Sequence, residues 1–161
     1  MYQKTLVIFK PDGVQRRLLG RMLERFESCG LKVHAVRFMQ ATVEQTRAHY
    51  REHTSKPFYP QLEFYLTSGP MLVLVLGGSG AIAKVRALVG ATDPSAAAPG
   101  TIRGDWSHKM LVMTGPNNGR VLRNLIHASS NAADAAHEIS VWFKPEEVLD
   151  YRMPDDELHG V

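Results

Sequence analysis

At 161 residues with 44% hydrophobic side chains, the chain is long enough to bury its own core and is expected to form a single domain over 1–161, with a polar tail from about 151 to 161. Its longest apolar run, residues 71–76, is far too short to span a membrane, and its first residues lack the charged, apolar and small-residue order of a secretion signal, so a cytoplasmic location is expected. The net charge of +3 is spread along the chain, which argues against a continuous nucleic-acid-tracking stripe, and the one cysteine, Cys29, excludes an internal disulfide and is assigned to packing.

Residues 4–9 read as an apolar strand that runs into the turn-forming Lys10-Pro-Asp-Gly. Over 14–28, Leu18, Leu19, Met22, Leu23 and Phe26 recur at helical spacing among Arg and Glu, predicting an amphipathic helix that Gly30 ends. Residues 31–39 alternate as a strand, and 42–53 and 58–66 predict two short helices forming a hairpin. The run 70–76 reads as a strand buried on both faces, 80–89 as a helix, and 90–105 as a long loop of the kind that carries function. Val121, Leu122, Leu125 and Ile126 predict a helix over 119–126, and Asn131 with Asp134 caps another, so His127 is expected at the break between two helices. Val141-Trp-Phe reads as a last strand, followed by a helical turn opened by Pro145. The element order predicts an α+β sandwich of the ferredoxin-like kind, a four-stranded antiparallel sheet with helices on its faces.

The chemistry concentrates near His127, which follows Asn124 by three residues and precedes Ser129 by two and Glu138 by eleven. A neutral imidazole with one nitrogen fixed by a hydrogen bond is a competent nucleophile towards phosphorus, and Glu138 is placed to orient it. A histidine that merely caps a helix C-terminus accounts for the segment equally well. Phosphoryl transfer needs cations and donors around the moving group, for which Lys10, Arg86, Thr92 and Arg103 are the candidates, although each taken alone reads as a solvated surface residue. Gly77-Gly-Ser-Gly-Ala-Ile-Ala imitates a dinucleotide fingerprint without the second strand and acidic residue that motif requires, so it reads as a helix-entry turn, and the sequence contains no P-loop motif. His49 and His53 have the spacing of zinc ligands, but Tyr50 stands where a metalloprotease glutamate would be. Tyr50 and Phe58 suit either the core or, for Phe58, a stacking platform for a base.

Lys10-Pro-Asp-Gly-Val, Pro99-Gly-Thr-Ile-Arg-Gly-Asp and Asn124-Leu-Ile-His-Ala-Ser, in that order, resemble the nucleoside diphosphate kinase family. The likeness runs over about 5–151 and includes Phe38-Met-Gln-Ala, His49-Tyr, Pro57-Phe, Ser68-Gly-Pro, Gly90-Ala-Thr-Asp-Pro, Glu138-Ile and Trp142-Phe-Lys-Pro-Glu-Glu. The resemblance implies a ping-pong enzyme in which His127 takes the γ-phosphate of a nucleoside triphosphate such as ATP and gives it to a diphosphate such as GDP. It implies that Glu138 hydrogen-bonds the imidazole, that Ser129 assists, and that Tyr50 lies near the transferred group. Lys10, Arg86, Thr92 and Arg103 would hold phosphates, Asn124 with Lys10 the ribose, and Phe58 with Leu62 the base. Mg²⁺ would arrive on the nucleotide phosphates, with no direct protein ligand, and the protein would be a homo-oligomer that binds neither membrane nor specific nucleic-acid sequence. Two departures stand out. Ser130 replaces the usual Asp, and the segment 106–119 resembles a long-loop variant. A non-catalytic nucleotide-binding or regulatory module is the alternative; an RNA-binding domain would need an aromatic-rich strand that is missing.

Overall fold

The structure, a computed structural model, describes residues 1–108, 110–113, 115 and 119–154, the segment 110–113 by its backbone only. Parts of the 106–119 segment and of the tail therefore lie outside the described residues. Four strands, β1 (Tyr2–Phe9), β2 (Lys32–Gln40), β3 (Pro70–Ser79) and β6 (Ile126–Ala128), form a sheet in the order β2-β3-β1-β6. Every pairing is antiparallel, as in a ferredoxin-like fold. Because side chains alternate along β1, Val7 and Phe9 enter one core and Leu6 and Ile8 the other. The sheet is thus a middle layer, which explains the unbroken apolar runs of β1 and β3.

On one face lie α2 (Leu19–Glu27) and α5 (Ala81–Val89), burying Met22, Phe26, Val85 and Val89. On the other lies α7 (Ala132–Trp142), where Ala135, Glu138 and Trp142, spaced by three and four, are buried. Asn131 caps α7, its Oδ1 accepting from the Asp134 amide at 2.9 Å. Thr42 and Gln45 form a capping box at the start of α3 (Val43–His49). A turn region then leads to α4 (Tyr59–Thr67).

Three expectations need correction. The helix expected over 14–28 is two pieces, α1 (Pro11–Gln15), with Pro11 in its first turn, and α2, separated where Arg17 adopts φ +58°. The helix expected over 119–126 is instead β5 (Arg120–Arg123), paired with β4 (Met110–Met113), and then β6. Leu125 between them has φ +68°, which no helix tolerates, and the three-and-four spacing of apolar residues there is the chance product of a strand, a kink and a strand. His127 therefore sits on an edge strand opposite Ile8, not between two helices. The strand expected at Val141-Trp-Phe is the last turn of α7, and the strand that completes the sheet is β6.

The expected loop over 90–105 contains a short turn of 3₁₀ helix (Pro94–Ala96) and α6 (Ile102–Trp106), capped by Thr101. Arg25 from α2 ties α6 down: it donates to the Gly100 carbonyl at 2.6 Å, pairs with Asp105, and stacks 4.5 Å from the Trp106 ring. Among the described residues no helix is long and apolar enough to cross a membrane.

Candidate active site

The end of β1, the kink before β6, the loop after α5 and α6 meet at one end of the sheet. Asp12 holds the kink. Its carboxylate accepts from the Gly13 amide (3.1 Å), the Tyr65 hydroxyl and the Leu125 amide (3.2 Å), while Lys10 N–H donates to the Leu125 carbonyl at 2.8 Å. A non-glycine residue at φ +68° is costly, so this set of bonds, together with the full burial of Leu125, is what maintains it.

Arg103 donates three hydrogen bonds to carbonyls, to Asn124 (3.1 Å), Gly90 (3.0 Å) and Ile126 (2.6 Å), joining α6, the loop and the kink. Gly90 can serve because it has φ +86°, and a Cβ there would meet Thr101 Oγ1 at 2.5 Å. Asn124 accepts from Lys10 Nζ at 2.7 Å and donates to the Thr92 carbonyl at 2.8 Å. Burial, and next the charge of Arg103, push the Lys10 ammonium down to about 8, with Asp12 opposing. Burial and then Arg86 lower Arg103 to about 10, so it stays cationic at neutral pH.

His127 Nε2 lies 3.0 Å from Glu138 Oε2, which also accepts from Ser129 Oγ at 2.6 Å. Ser129 is fully buried, and its oxygen in turn accepts from the Leu6 amide at 3.1 Å. A carboxylate only accepts, so the neutral imidazole carries its proton on Nε2 and its lone pair on Nδ1. The Tyr50 ring stands 5.9 Å from that of His127, and burial holds its phenol protonated well above neutral pH.

These groups open onto a cleft of about 560 Å³. Lys10, Tyr50, Phe58, Leu62, Arg86, Thr92, Arg103, Asn124 and His127 all line it. Phe58 is 49% exposed at the rim with His53 beside it (ring centroids 5.9 Å apart), and so belongs to the cleft, not to the core. Glu138 and Ser129 are absent from the lining and back the histidine ring. Sequence reasoning missed Arg120, which reaches the cleft from β5, and the partners of His49. The alternation Arg120-Val-Leu-Arg was the available signal for β5. Among the described residues no carboxylate lines the cleft; its oxygen-bearing side chains are Tyr50, Thr92, Asn124 and Ser130. Such a set suits Mg²⁺ carried on phosphate oxygens and water better than a protein-built cage.

A cleft with cationic walls, an aromatic rim and an imidazole oriented by a carboxylate at its end is the arrangement a phosphate-handling protein needs. The profile of the nucleoside diphosphate kinase family matches residues 3–148. A nucleoside diphosphate kinase of Thermoplasma acidophilum is 43% identical over 159 residues, covering 99% of this chain and all of the relative. Among solved structures, a transition-state mimic of nucleoside-diphosphate kinase from Borrelia burgdorferi with bound vanadate and ADP superposes with a TM-score of 0.89. It is 38% identical and covers 99% of this chain and 97% of its own. A halophilic nucleoside diphosphate kinase from Halobacterium salinarum in complex with CDP gives a TM-score of 0.87 at 38% identity, covering 98% of both chains. The chain belongs to the nucleoside diphosphate kinase family.

Proposed function

We propose that the protein moves the γ-phosphate of nucleoside triphosphates to nucleoside diphosphates through a phosphohistidine at His127. The observation that carries this is the His127–Glu138–Ser129 chain, which leaves Nδ1 as the one nitrogen with an available lone pair, on a residue that lines the cleft. In the first half-reaction that lone pair forms the N–P bond as the bond from phosphorus to the β-phosphate oxygen breaks, and the diphosphate leaves with the electron pair. In the second, a terminal oxygen of the acceptor diphosphate attacks phosphorus, the N–P bond breaks, and the pair returns to Nδ1. Nε2–H stays on the ring throughout, and the Glu138 carboxylate balances the positive charge the ring acquires.

Lys10, Arg86, Arg103 and Arg120 supply the positive charge for the phosphates, with the Thr92 hydroxyl beside them. Lys10 and Asn124, bonded to each other without nucleotide, exchange that bond for the ribose hydroxyls. Phe58 and Leu62 offer an apolar face to the base, which accepts any base; the relatives crystallised with ADP and with CDP agree with that tolerance. Tyr50 keeps its proton and acts as a donor near the transferred group. Mg²⁺ accompanies the phosphates and neutralises charge on them, with Ser130 offering a hydroxyl where the family usually has Asp. The edge strand β2 exposes Val36 and Phe38, and this apolar pair supports association into a homo-oligomer. The reading as a purely binding module is not favoured, because binding alone has no use for a buried carboxylate and hydroxyl aimed at the imidazole.

Incubation with γ-labelled ATP and Mg²⁺ tests the proposal. The protein is expected to acquire acid-labile, alkali-stable label, to discharge it to GDP as GTP, and to take none as His127→Ala. Nucleotide binding without label in the intact protein would refute it.

A further inference from the structure

His127 also lines a smaller hollow, about 120 Å³, which it shares with His49, Glu138 and His137. His49 ends α3 and is buried with the side chain fully out of solvent. Its ring stands nearly perpendicular to that of His127, centroids 4.6 Å apart, and contacts Tyr50 and Trp142. The Trp142 indole N–H donates to His49 Nδ1 at 3.0 Å. Since the indole only donates, Nδ1 must be the bare nitrogen, and the neutral ring carries its proton on Nε2. That Nε2 has no hydrogen-bond partner among the described residues, and it lies 3.8 Å from Oε1 of Glu138, the carboxylate oxygen that does not hold His127.

One ring nitrogen each of His49 and His127 and a Glu138 oxygen lie within 4.8 Å of one another, a spacing that suits a metal ion. The Trp142 bond argues against one. A histidine bound to metal through Nε2 carries its proton on Nδ1, where Trp142 already places its own. The cluster is built to present an N–H to a carboxylate.

We propose that His49 is a positioning residue for phosphoryl transfer: its Nε2–H, locked in that tautomer by Trp142, steadies the second oxygen of Glu138, and through Glu138 and ring packing it orients His127. This rests on reading His127 as the nucleophile. At 3.8 Å the N–H attracts Oε1 without a formed bond, and a shift of under about 1 Å reaches hydrogen-bond distance. As His127 gains phosphate and its ring turns positive, Glu138 becomes the counter-charge, and an N–H that fixes the carboxylate counts for more in that state than in the resting one. The neutral ring is the form burial favours: desolvation first, then the charges of His127, Lys10 and His137, push His49 well below the usual histidine range. A cationic His49 would instead compete with His127 for the carboxylate.

The test compares His49→Gln, whose amide N–H falls near the Nε2 position, with His49→Leu, which removes it. The readouts are single-turnover phosphorylation by ATP-Mg²⁺ and ADP affinity, with wild type and His127→Ala run alongside. The expected result is that His49→Leu slows phosphorylation about tenfold to a hundredfold with ADP affinity unchanged, and that His49→Gln restores most of the rate. A wild-type rate in His49→Leu, no rescue by His49→Gln, or a defect confined to ADP affinity would overturn the proposal. Should His49→Leu not fold, two-bond ¹H–¹⁵N correlations on the wild-type protein decide it. The Nε2–H tautomer at neutral pH is expected, and an Nδ1–H or charged His49 overturns it. If wild type takes no label at all, or His127→Ala labels as wild type does, it is the nucleophile reading that has failed, and the two failures are distinguishable.

Discussion

Burial at the end of β1, with Arg103 adding to it, pushes the Lys10 ammonium down to about 8, which bears on its proposed role as a phosphate ligand. Nucleotide phosphates favour the charged form, so binding at that pH should take up a proton, and affinity for ADP should fall as pH rises through about 8. Calorimetry in two buffers of different ionisation enthalpy checks this; proton release on binding would contradict it. In the proposed mechanism Glu138 acts through charge as well as geometry. Glu138→Gln keeps the shape and removes the counter-charge, and should slow His127 phosphorylation by roughly a hundredfold in single turnover while leaving ADP affinity unchanged. Ser130 can cap and can hydrogen-bond water but supplies no charge, so Ser130→Asp should lower the Mg²⁺ concentration needed for half-maximal rate.

The kink at Leu125 shows how strain is held at the level of elements. Leu125→Gly would relieve roughly 1 kcal/mol of left-handed strain but empty a fully buried leucine site, which costs about 2–5 kcal/mol. Cavity loss exceeds strain relief, so the variant should melt lower, not higher. Asp12→Ala strands the Leu125 amide and the Tyr65 hydroxyl, both buried, and should cost about 3 kcal/mol, a fall of about 10 °C in Tm. The kink is also where the sequence misled. Continuous apolar runs located β1 and β3, and three-and-four apolar spacing located the buried face of α2, because each pattern holds from end to end of its element. Around 119–126 two short strands and a left-handed residue add up to a false helical period, and nothing in a 3.6-residue count separates them. The site was more legible than the elements that carry it. Lys10, Arg86, Thr92, Arg103, Asn124 and His127 line one cleft, although His127 was expected between helices and sits on an edge strand. The Trp142–His49 contact was not legible, since it joins residues 93 apart through the packing of α3 on α7.

Across the whole molecule, two buried histidines make folding sensitive to acid. His34 has both nitrogens engaged while neutral: Nδ1–H donates to the Leu149 carbonyl at 2.6 Å, and Nε2 accepts from Tyr2. Burial is the main reason its proton affinity lies below the ordinary value, with Lys4 and Lys32 adding to it and the Leu149 carbonyl and Asp150 opposing. His49 is lowered further, again by burial first. Both are depressed in the folded state, so the unfolded chain binds protons that the folded one refuses once pH drops below about 6.5. The stability is therefore present above that pH and lost as pH falls through it towards the folded-state values. Urea midpoints should be lower at about pH 5.5 than at about pH 7.5, and the difference should shrink in the His34→Gln/His49→Gln double variant. An acid-side rise in stability would contradict the assignment of both rings as neutral.

In the proposed mechanism Glu138 occupies Nε2 of His127 and leaves Nδ1 to attack phosphorus. The position of the phosphate on the ring tests it most directly: the protein is phosphorylated with ATP-Mg²⁺, freed of nucleotide, and examined by ¹H–³¹P and ¹⁵N correlation spectroscopy under alkaline conditions. A single N–P bond is expected, on Nδ1 of His127, with Nε2 still protonated. A phosphate on Nε2, or on any other residue, would contradict it.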